Sequence, residues 1–319
     1  MNSPNGSLPE MWFERGIQPR QVPMIEGLAT PTGPDLGELV SAQAAIAGVG
    51  YQWNDDFFAT NAPNLTVLVR SGIGYDVVDL DAATRHKVMA CNTPEGPTVS
   101  TAEHTVALLL SAAKLMPVAQ QRLREATSNY VVVNDGIELD GLTVGIVGFG
   151  RIGSRVGRTL AALGMNILVN DPFIEDEQIP PSMERVSFED ALTRADVVTL
   201  HLPLEPATQR FMGAAEFDAM RPGAIFVNAA RGGLVDHDAL VAAIDSGRLH
   251  SAALDVTDPE PLPTDHPLLH RENVIVTPHI AAATVAGKNR MYNMAVEAAL
   301  AALRGDEPAN LLNPAVRGS

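Results

Sequence analysis

The chain has 319 residues, 46% of them hydrophobic and 5% aromatic, enough for two domains with aliphatic interiors built from Ala, Val and Leu. Its formal net charge of −16 excludes the basic footprint that nucleic acid or an anionic membrane surface requires. A single cysteine, Cys91, excludes an internal disulfide and a cysteine-only metal cage; it reads as a small buried apolar residue, no metal is expected, and a reducing, cytoplasmic setting fits.

The N-terminal stretch MNSPNGSLPEMWFERG has no basic region followed by an apolar one, so no signal peptide is expected. No segment reaches the length of a membrane span, the longest apolar stretch being VALLLSAA before Lys114. Residues 1 to about 40 are broken by Pro and Gly and predict no element. From Ala44 the pattern sharpens: AAIAGV reads as a buried strand, NDDFFATNAP as a short helix, and LTVLVR as a strand ending in the glycine-rich turn SGIGYD. These are β-α-β units of a small α/β domain. A long helix is expected from about Thr101 through Leu123, with Glu103 and His104 near its start.

From Val144 the chain reads VGIVGFGRIG, and Asp171 closes the next apolar run, MNILVND, eighteen residues after Gly153. A buried strand, a glycine-rich turn, a helix, a second strand and an acid, in this order, make a dinucleotide site. Gly148 allows the tight turn, Gly150 lets backbone approach a pyrophosphate, and Gly153 permits close packing of helix on strand. The helix N-terminus then faces the phosphates. Asp171 should accept hydrogen bonds from the ribose hydroxyls and repel a 2′-phosphate, which makes NAD rather than NADP the expected cofactor. The helix RIGSRVGRTLAAL supplies the context, with Ile152, Val156, Leu160 and Leu163 at helical spacing and Gly164 at a left-handed C-cap.

The alternation continues with ADVVTLHLP (195–203), GAIFVNAA (223–230), HSAALDV (250–256) and NVIVTPH (273–279), separated by helices such as AAEFDAM and HDALVAAIDSG. Such a pattern predicts an α/β fold with a parallel sheet covered by helices on both faces. Ligands on that architecture sit at the carboxyl ends of the strands, where Asp171, His201, Arg231, Asp255 and His279 collect. A last helix, about 284–304, leads to the tail EPANLLNP, which is expected to return to the first domain.

Arg231 in NAARGG, Glu260 in DPEPLP and His279 in TPHIAA are the side chains suited to chemistry. Reduction of a 2-oxo acid needs a cation for the carboxylate and a proton donor for the oxygen that becomes an alkoxide. Arginine suits the first task through its planar, permanently charged fork. Histidine suits the second because it titrates near working pH, and a neighbouring carboxylate such as Glu260 would orient it and stabilise its charged form. Taken singly, each has a plainer reading, as a strand-end charge, a solvated loop acid and a polar cap before a helix. What joins them is that Arg231 and His279 end strands of the sheet that carries the nucleotide turn.

These segments resemble the NAD-dependent D-isomer-specific 2-hydroxyacid dehydrogenases, a family that includes glycerate, hydroxypyruvate and phosphoglycerate dehydrogenases. The likeness runs from about Leu65 to Pro314 through RSGIGYD, STAEHTVALLL, GIVGFGRIG, the acid of VNDPF, HLPLEPAT, MRPGAIFVNAARGGLVD, AALDVTDPEPLP and TPHIAAAT. The resemblance implies two Rossmann-like or flavodoxin-like domains with parallel sheets, the nucleotide domain (101–286) being inserted into a substrate domain (1–100 and 287–319), with catalysis in the cleft between them. It implies that Arg231 binds the substrate carboxylate and carbonyl, that His279 is the acid/base and that Glu260 pairs with it. Backbone N–H groups around Gly72, Ile73 and Gly74 would hold the substrate carboxylate. Cofactor contacts would come from Thr98, Gly148, Gly150, Arg151, Ile152, Gly153, Asp171 and Thr208; His201 and Pro203 would line the adenosine side, and Asp255 with the Ala229 backbone would fix the nicotinamide carboxamide.

The chain departs from the family pattern at Val77, where Asn is common, and after Thr284, where an acid often follows. The first forty residues match poorly. With no regulatory domain after the family-like core and no basic cluster in the N-terminal half, a small unphosphorylated acid is the expected substrate rather than that of a feedback-controlled phosphoglycerate enzyme. A symmetric homodimer is expected from the apolar helix VALLLSAAKLM and the resemblance. Two other readings use the same fold: a non-catalytic NAD(H)-sensing protein, which intact Arg231, Glu260 and His279 disfavour, and a formate dehydrogenase, whose Gln–His pair Glu260 does not supply.

Overall fold

The computed structural model describes residues 7–125 and 135–318; residues 1–6, part of the stretch in which no signal peptide is expected, lie outside them. The chain divides into two compact units, Met1–Thr98 with Thr284–Ser319, and Val99–Ala283. Among the described residues no helix is long and apolar enough to cross a membrane.

The first unit is built on five strands, β1 (Glu10–Phe13), β2 (Thr30–Thr32), β3 (Ala44–Ala47), β4 (Val67–Arg70) and β5 (Met89–Asn92), all parallel in the order β2-β1-β3-β4-β5. The sequence shows nothing of β1 and β2. Strand β1 is buried on both sheet faces, Trp12 packing with Leu39 and Trp53 on one and Met11 and Phe13 packing with Ile46 and Val69 on the other. A strand of four residues directly after Pro9 is too short to show a period. The second face is covered by the helix Val285–Arg304, whose Ala295, Val296 and Ala299 let it lie close to the sheet. Cys91 on β5 is 1% exposed, and burial pushes its thiol up to about 12, which leaves it inert.

The second unit carries β6 (Thr143–Val147), β7 (Asn166–Asn170), β8 (Met183–Arg185), β9 (Val197–Leu200), β10 (Ala224–Asn228), β11 (Leu249–Leu254) and β12 (Val274–Val276). They form a parallel sheet in the order β12-β11-β10-β9-β6-β7-β8. Alternate side chains feed opposite cores: Ile225 and Val227 join Val156 and Leu160, while Phe226 joins Phe217 and Leu240. The chain leaves β6 towards β7 on one side and returns to β9 on the other, so the crevice for a ligand opens at the carboxyl end of β6.

Two expectations need correction. The long helix starts earlier, at Glu95, and breaks: Glu95–Ala113 is followed by Met116–Arg124, with Leu115 between them in the left-handed region (φ 50°). Pro117 is the cause, because it removes an N–H and its ring collides with the preceding turn. Leu163, expected within the helix at the spacing of Ile152, Val156 and Leu160, lies past its last residue as the C-cap of Arg151–Ala162 and is 43% exposed; Gly164 follows it with φ +84°, as expected of a left-handed cap.

Candidate nucleotide and catalytic site

The three glycines after β6 differ in what surrounds them. Gly148 has φ +91°, and a Cβ there would lie 2.6 Å from the His201 carbonyl oxygen. At Gly153 a Cβ would lie 2.1 Å from Gly148 O and 3.3 Å from Ile146 Cγ2, so the helix Arg151–Ala162 rests directly on the strand. At Gly150 a Cβ would meet nothing within 4 Å, and this N-cap residue makes no side-chain capping bond. The first-turn N–H groups, at Arg151 and Ile152, therefore turn an uncapped positive helix end towards open space, which suits a pyrophosphate.

Asp171, directly after β7, is partly exposed and fixed beside this turn: its Oδ2 accepts from Phe149 N at 2.8 Å and its Oδ1 from Phe173 N at 2.9 Å. Protein atoms crowd the His201 ring, and this desolvation pushes its pKa down to about 3, so the imidazole is neutral; its Nε2 lies 3.1 Å from Thr199 Oγ1. Pro203 is exposed. Thr208 is occupied within its own loop, donating to Pro203 O at 2.8 Å and accepting from Glu205 N at 2.9 Å.

Beyond β10, β11 and β12, backbone hydrogen bonds tie the loops together: Asp255 N donates to Asn228 O at 2.9 Å, and His279 N donates to Asp255 O at 2.8 Å. Arg231, half-buried, follows β10; its Nη1 donates to Ala230 O at 2.7 Å and its carbonyl accepts from Asn228 Nδ2 at 2.8 Å. Gly232 is forced next to it, because a Cβ there would meet Thr257 backbone at 2.0 Å. Ala229 is buried at the same strand end. Glu260 Oε1 lies 2.6 Å from His279 Nδ1, with the two side chains 39% and 36% exposed. The carboxylate fixes the tautomer with hydrogen on Nδ1 when the ring is neutral, leaving Nε2 to exchange a proton with a bound molecule.

His279 has φ +51°, a conformation that costs a residue with a Cβ roughly 1–2 kcal/mol unless its surroundings impose it. Asp255, expected beside the nicotinamide carboxamide, supplies those surroundings. Its side chain is fully enclosed; Oδ1 accepts from Thr277 Oγ1 at 2.6 Å and Ile280 N at 2.9 Å, and Oδ2 accepts from Ala281 N at 2.8 Å. His104 Nε2 lies 3.2 Å from Oδ1. Burial works to raise this carboxyl's pKa, but the bonds from His104, Thr277, Ile280 and Ala281 outweigh it and hold it below the ordinary range.

Gly72, Ile73, Gly74 and Thr98 belong to the other unit. The Gly72 N–H, expected to hold a carboxylate, is given to Thr93 Oγ1 at 2.7 Å, because φ +144° folds this residue back onto the end of β5. Asn92 Nδ2 donates to Ile73 O at 2.7 Å, which steadies the rest of the turn. Thr98 is buried, and its hydroxyl donates to Pro94 O at 2.8 Å. Among the described residues no group of His, Cys, Asp and Glu forms a metal cluster. Sequence reasoning missed the tasks of His104 and Thr277; they stand in STAEHTVALLL and TPHIAAAT, but only the fold brings them to Asp255.

Residues 106–281 match the family model described as D-isomer specific 2-hydroxyacid dehydrogenase, NAD binding domain. Similar curated relatives include the D-3-phosphoglycerate dehydrogenase of Archaeoglobus fulgidus, 43% identical over 224 residues (70% of this chain, 42% of that one). The D-3-phosphoglycerate dehydrogenase of Mycobacterium tuberculosis is 40% identical over 279 residues (86% and 52%). The chain thus spans about half the length of the curated relatives it matches. Among solved structures, the TT0316 protein from Thermus thermophilus superposes with a TM-score of 0.87 at 35% identity, covering 95% of this chain and 99% of that one. A glyoxylate reductase from Paecilomyes thermophila gives 0.86 at 26% identity, covering 96% and 98%.

Proposed function

Because the chain belongs to the D-isomer specific 2-hydroxyacid dehydrogenase family, we propose that it interconverts a small D-2-hydroxy acid and its 2-oxo acid with NAD(H). The observation that carries this reading is the Glu260–His279 pair at 2.6 Å, held at the same sheet edge as Arg231. The unit Val99–Ala283 is the NAD-binding domain, and Met1–Thr98 with Thr284–Ser319 is the substrate domain. Gly150 with the Arg151 and Ile152 N–H groups would hold the pyrophosphate, on a turn that Gly148 and Gly153 make possible; Asp171 would take the ribose hydroxyls, His201 and Pro203 would line the adenosine, and the Ala229 backbone would lie at the carboxamide. Bound NADH supplies a hydride. Arg231 grips the substrate carboxylate and polarises the carbonyl, while Ile73 and Gly74 N–H groups orient the carboxylate. Protonated His279 gives its Nε2 proton to the carbonyl oxygen, and Glu260 stabilises the imidazolium before that transfer.

The substrate we assign is unphosphorylated, although the quoted curated relatives are named for phosphoglycerate. The strand next to β4 is β3, and an acid pins the loop after it: Glu14 accepts from Gly48 N at 2.6 Å and Gly50 N at 2.9 Å. Glu14 already occupies these two N–H groups, so they are not left for a phosphate, and its carboxylate offsets the neighbouring Arg15, whose Nε would lie 3.5 Å from a Cβ at Gly48. The assembly we assign is a homodimer in the cytoplasm. The segment VALLLSAAKLM buries Leu108 and Leu109 in the unit's own core, and we assign the contact with a second copy to the helix that follows, Met116–Arg124, on which Met116 (57%) and Leu123 (63%) are exposed. NADH loss, followed optically with glyoxylate, hydroxypyruvate, pyruvate, phenylpyruvate and 3-phosphohydroxypyruvate, tests this. Turnover of an unphosphorylated acid is expected. Tight NADH binding with no turnover of any of them would favour a non-catalytic NAD(H) sensor.

A further inference from the structure

Glu260 orients the His279 ring, yet nothing in that pair explains why the His279 backbone stays left-handed in an exposed loop. The answer lies one layer deeper. Asp255 takes the His279 N–H on its carbonyl and the next two N–H groups, of Ile280 and Ala281, on its two carboxylate oxygens. The turn is wound around one buried side chain.

A carboxylate with 0% exposure must keep its orientation and have its charge met. Thr277, whose hydroxyl donates to Oδ1 at 2.6 Å, is on the turn itself and moves with it. His104 is not. It stands on the helix Glu95–Ala113, far from the turn in sequence, and its side chain is 21% exposed. Its Nε2 is 3.2 Å from both Asp255 Oδ1 and Thr277 Oγ1. An ionised carboxylate only accepts, so the shared hydrogen belongs to His104 Nε2.

We propose that His104 is a positioning residue for the acid/base His279: by donating to Asp255 and Thr277 it anchors the turn to a helix of the core and holds the imidazole where it exchanges its proton. This rests on His279 having the task given to it above. His104 touches neither reacting group, so its loss should lower kcat more than it raises KM or weakens NADH binding, the pattern of an arrangement needed mainly in the transition state.

The test compares His104→Phe, which keeps a ring but has no donor, with His104→Gln, which keeps an N–H donor. In the full chain the Phe variant should lose about tenfold or more in kcat with hydroxypyruvate, while KM and the NADH dissociation constant change less than about threefold. The Gln variant should recover most of the loss. If Phe prevents folding, His104→Ala replaces it with the same expectations. Amide exchange at Ile280 and Ala281 reads the anchor without turnover and should accelerate in the Phe or Ala variant but not in Gln. A donor-less variant with wild-type kcat and unchanged exchange, or a Gln variant no better than it, would overturn the inference. A wild-type protein that reduces no 2-oxo acid would overturn the proposed function instead, and the exchange data would still decide whether His104 anchors the turn.

Discussion

Replacing Gly153 with alanine puts a methyl carbon 2.1 Å from the Gly148 carbonyl oxygen, a backbone atom that cannot swing aside. The helix must lift from β6, and overpacking of this kind costs about 1–3 kcal/mol. For a unit of this size, where each kcal/mol shifts the melting temperature by about 2–4 °C, the fall should be about 2–12 °C. Gly148→Ala meets the His201 carbonyl at 2.6 Å and also carries the left-handed penalty of about 1–2 kcal/mol, so it should be at least as damaging. Gly150→Ala differs, because its methyl enters open space. Melting should change by no more than about 1 kcal/mol, as for a poorer N-cap, while NADH affinity falls by about tenfold or more where the pyrophosphate would meet the methyl. Thermal melts and NADH fluorescence titrations of the three variants separate the effects. Equal melting losses at Gly150 and Gly153, or a Gly150→Ala protein that binds NADH like the wild type, would refute the assignment of these glycines.

Arg231→Lys should lower kcat/KM for the oxo acid by about 10- to 100-fold with NADH affinity nearly unchanged, since an ammonium lacks the planar two-point grip; steady-state kinetics with wild-type efficiency would remove Arg231 as the substrate clamp. The wild type should use NADH better than NADPH, and Asp171→Ala should narrow that preference mainly by weakening NADH use; equal efficiency with the two cofactors in the wild type would contradict this. Asp255 has a depressed pKa in the fold, so its contribution is complete above its unfolded value of about 3.9 and is lost as pH falls through the lower folded value. Denaturation midpoints measured between about pH 6 and 2 should therefore slope less steeply in Asp255→Asn than in the wild type, and parallel curves would count against the buried clamp.

The nucleotide half was legible in the sequence because glycine spacing answers to backbone sterics, which side-chain context cannot override: the contacts a Cβ would make at Gly148 and Gly153 leave no other residue type. The strands β9 to β11 were legible for a related reason, each being a β-branched or aliphatic run buried on both faces. Strands β1 and β2 were not, since four and three residues beside prolines carry no period. Pro117 marks the break at Leu115, but the apolar spacing continues through it and masks the signal. Gly72 and Asp255 show the limit at the site. Each stands in a motif, but whether its polar groups face a ligand or the protein depends on Thr93 in one case and on His104, Thr277, Ile280 and Ala281 in the other, partners that only the folded chain assembles.

The most direct measurement is turnover of His279→Ala beside the wild type on the preferred 2-oxo acid, with NADH affinity determined in the same preparations. The wild type should reduce the acid, and the variant should lose most of that turnover, by about 10²-fold or more, while binding NADH as before. A His279→Ala protein that turns over like the wild type would contradict the assignment of proton transfer to the Glu260–His279 pair.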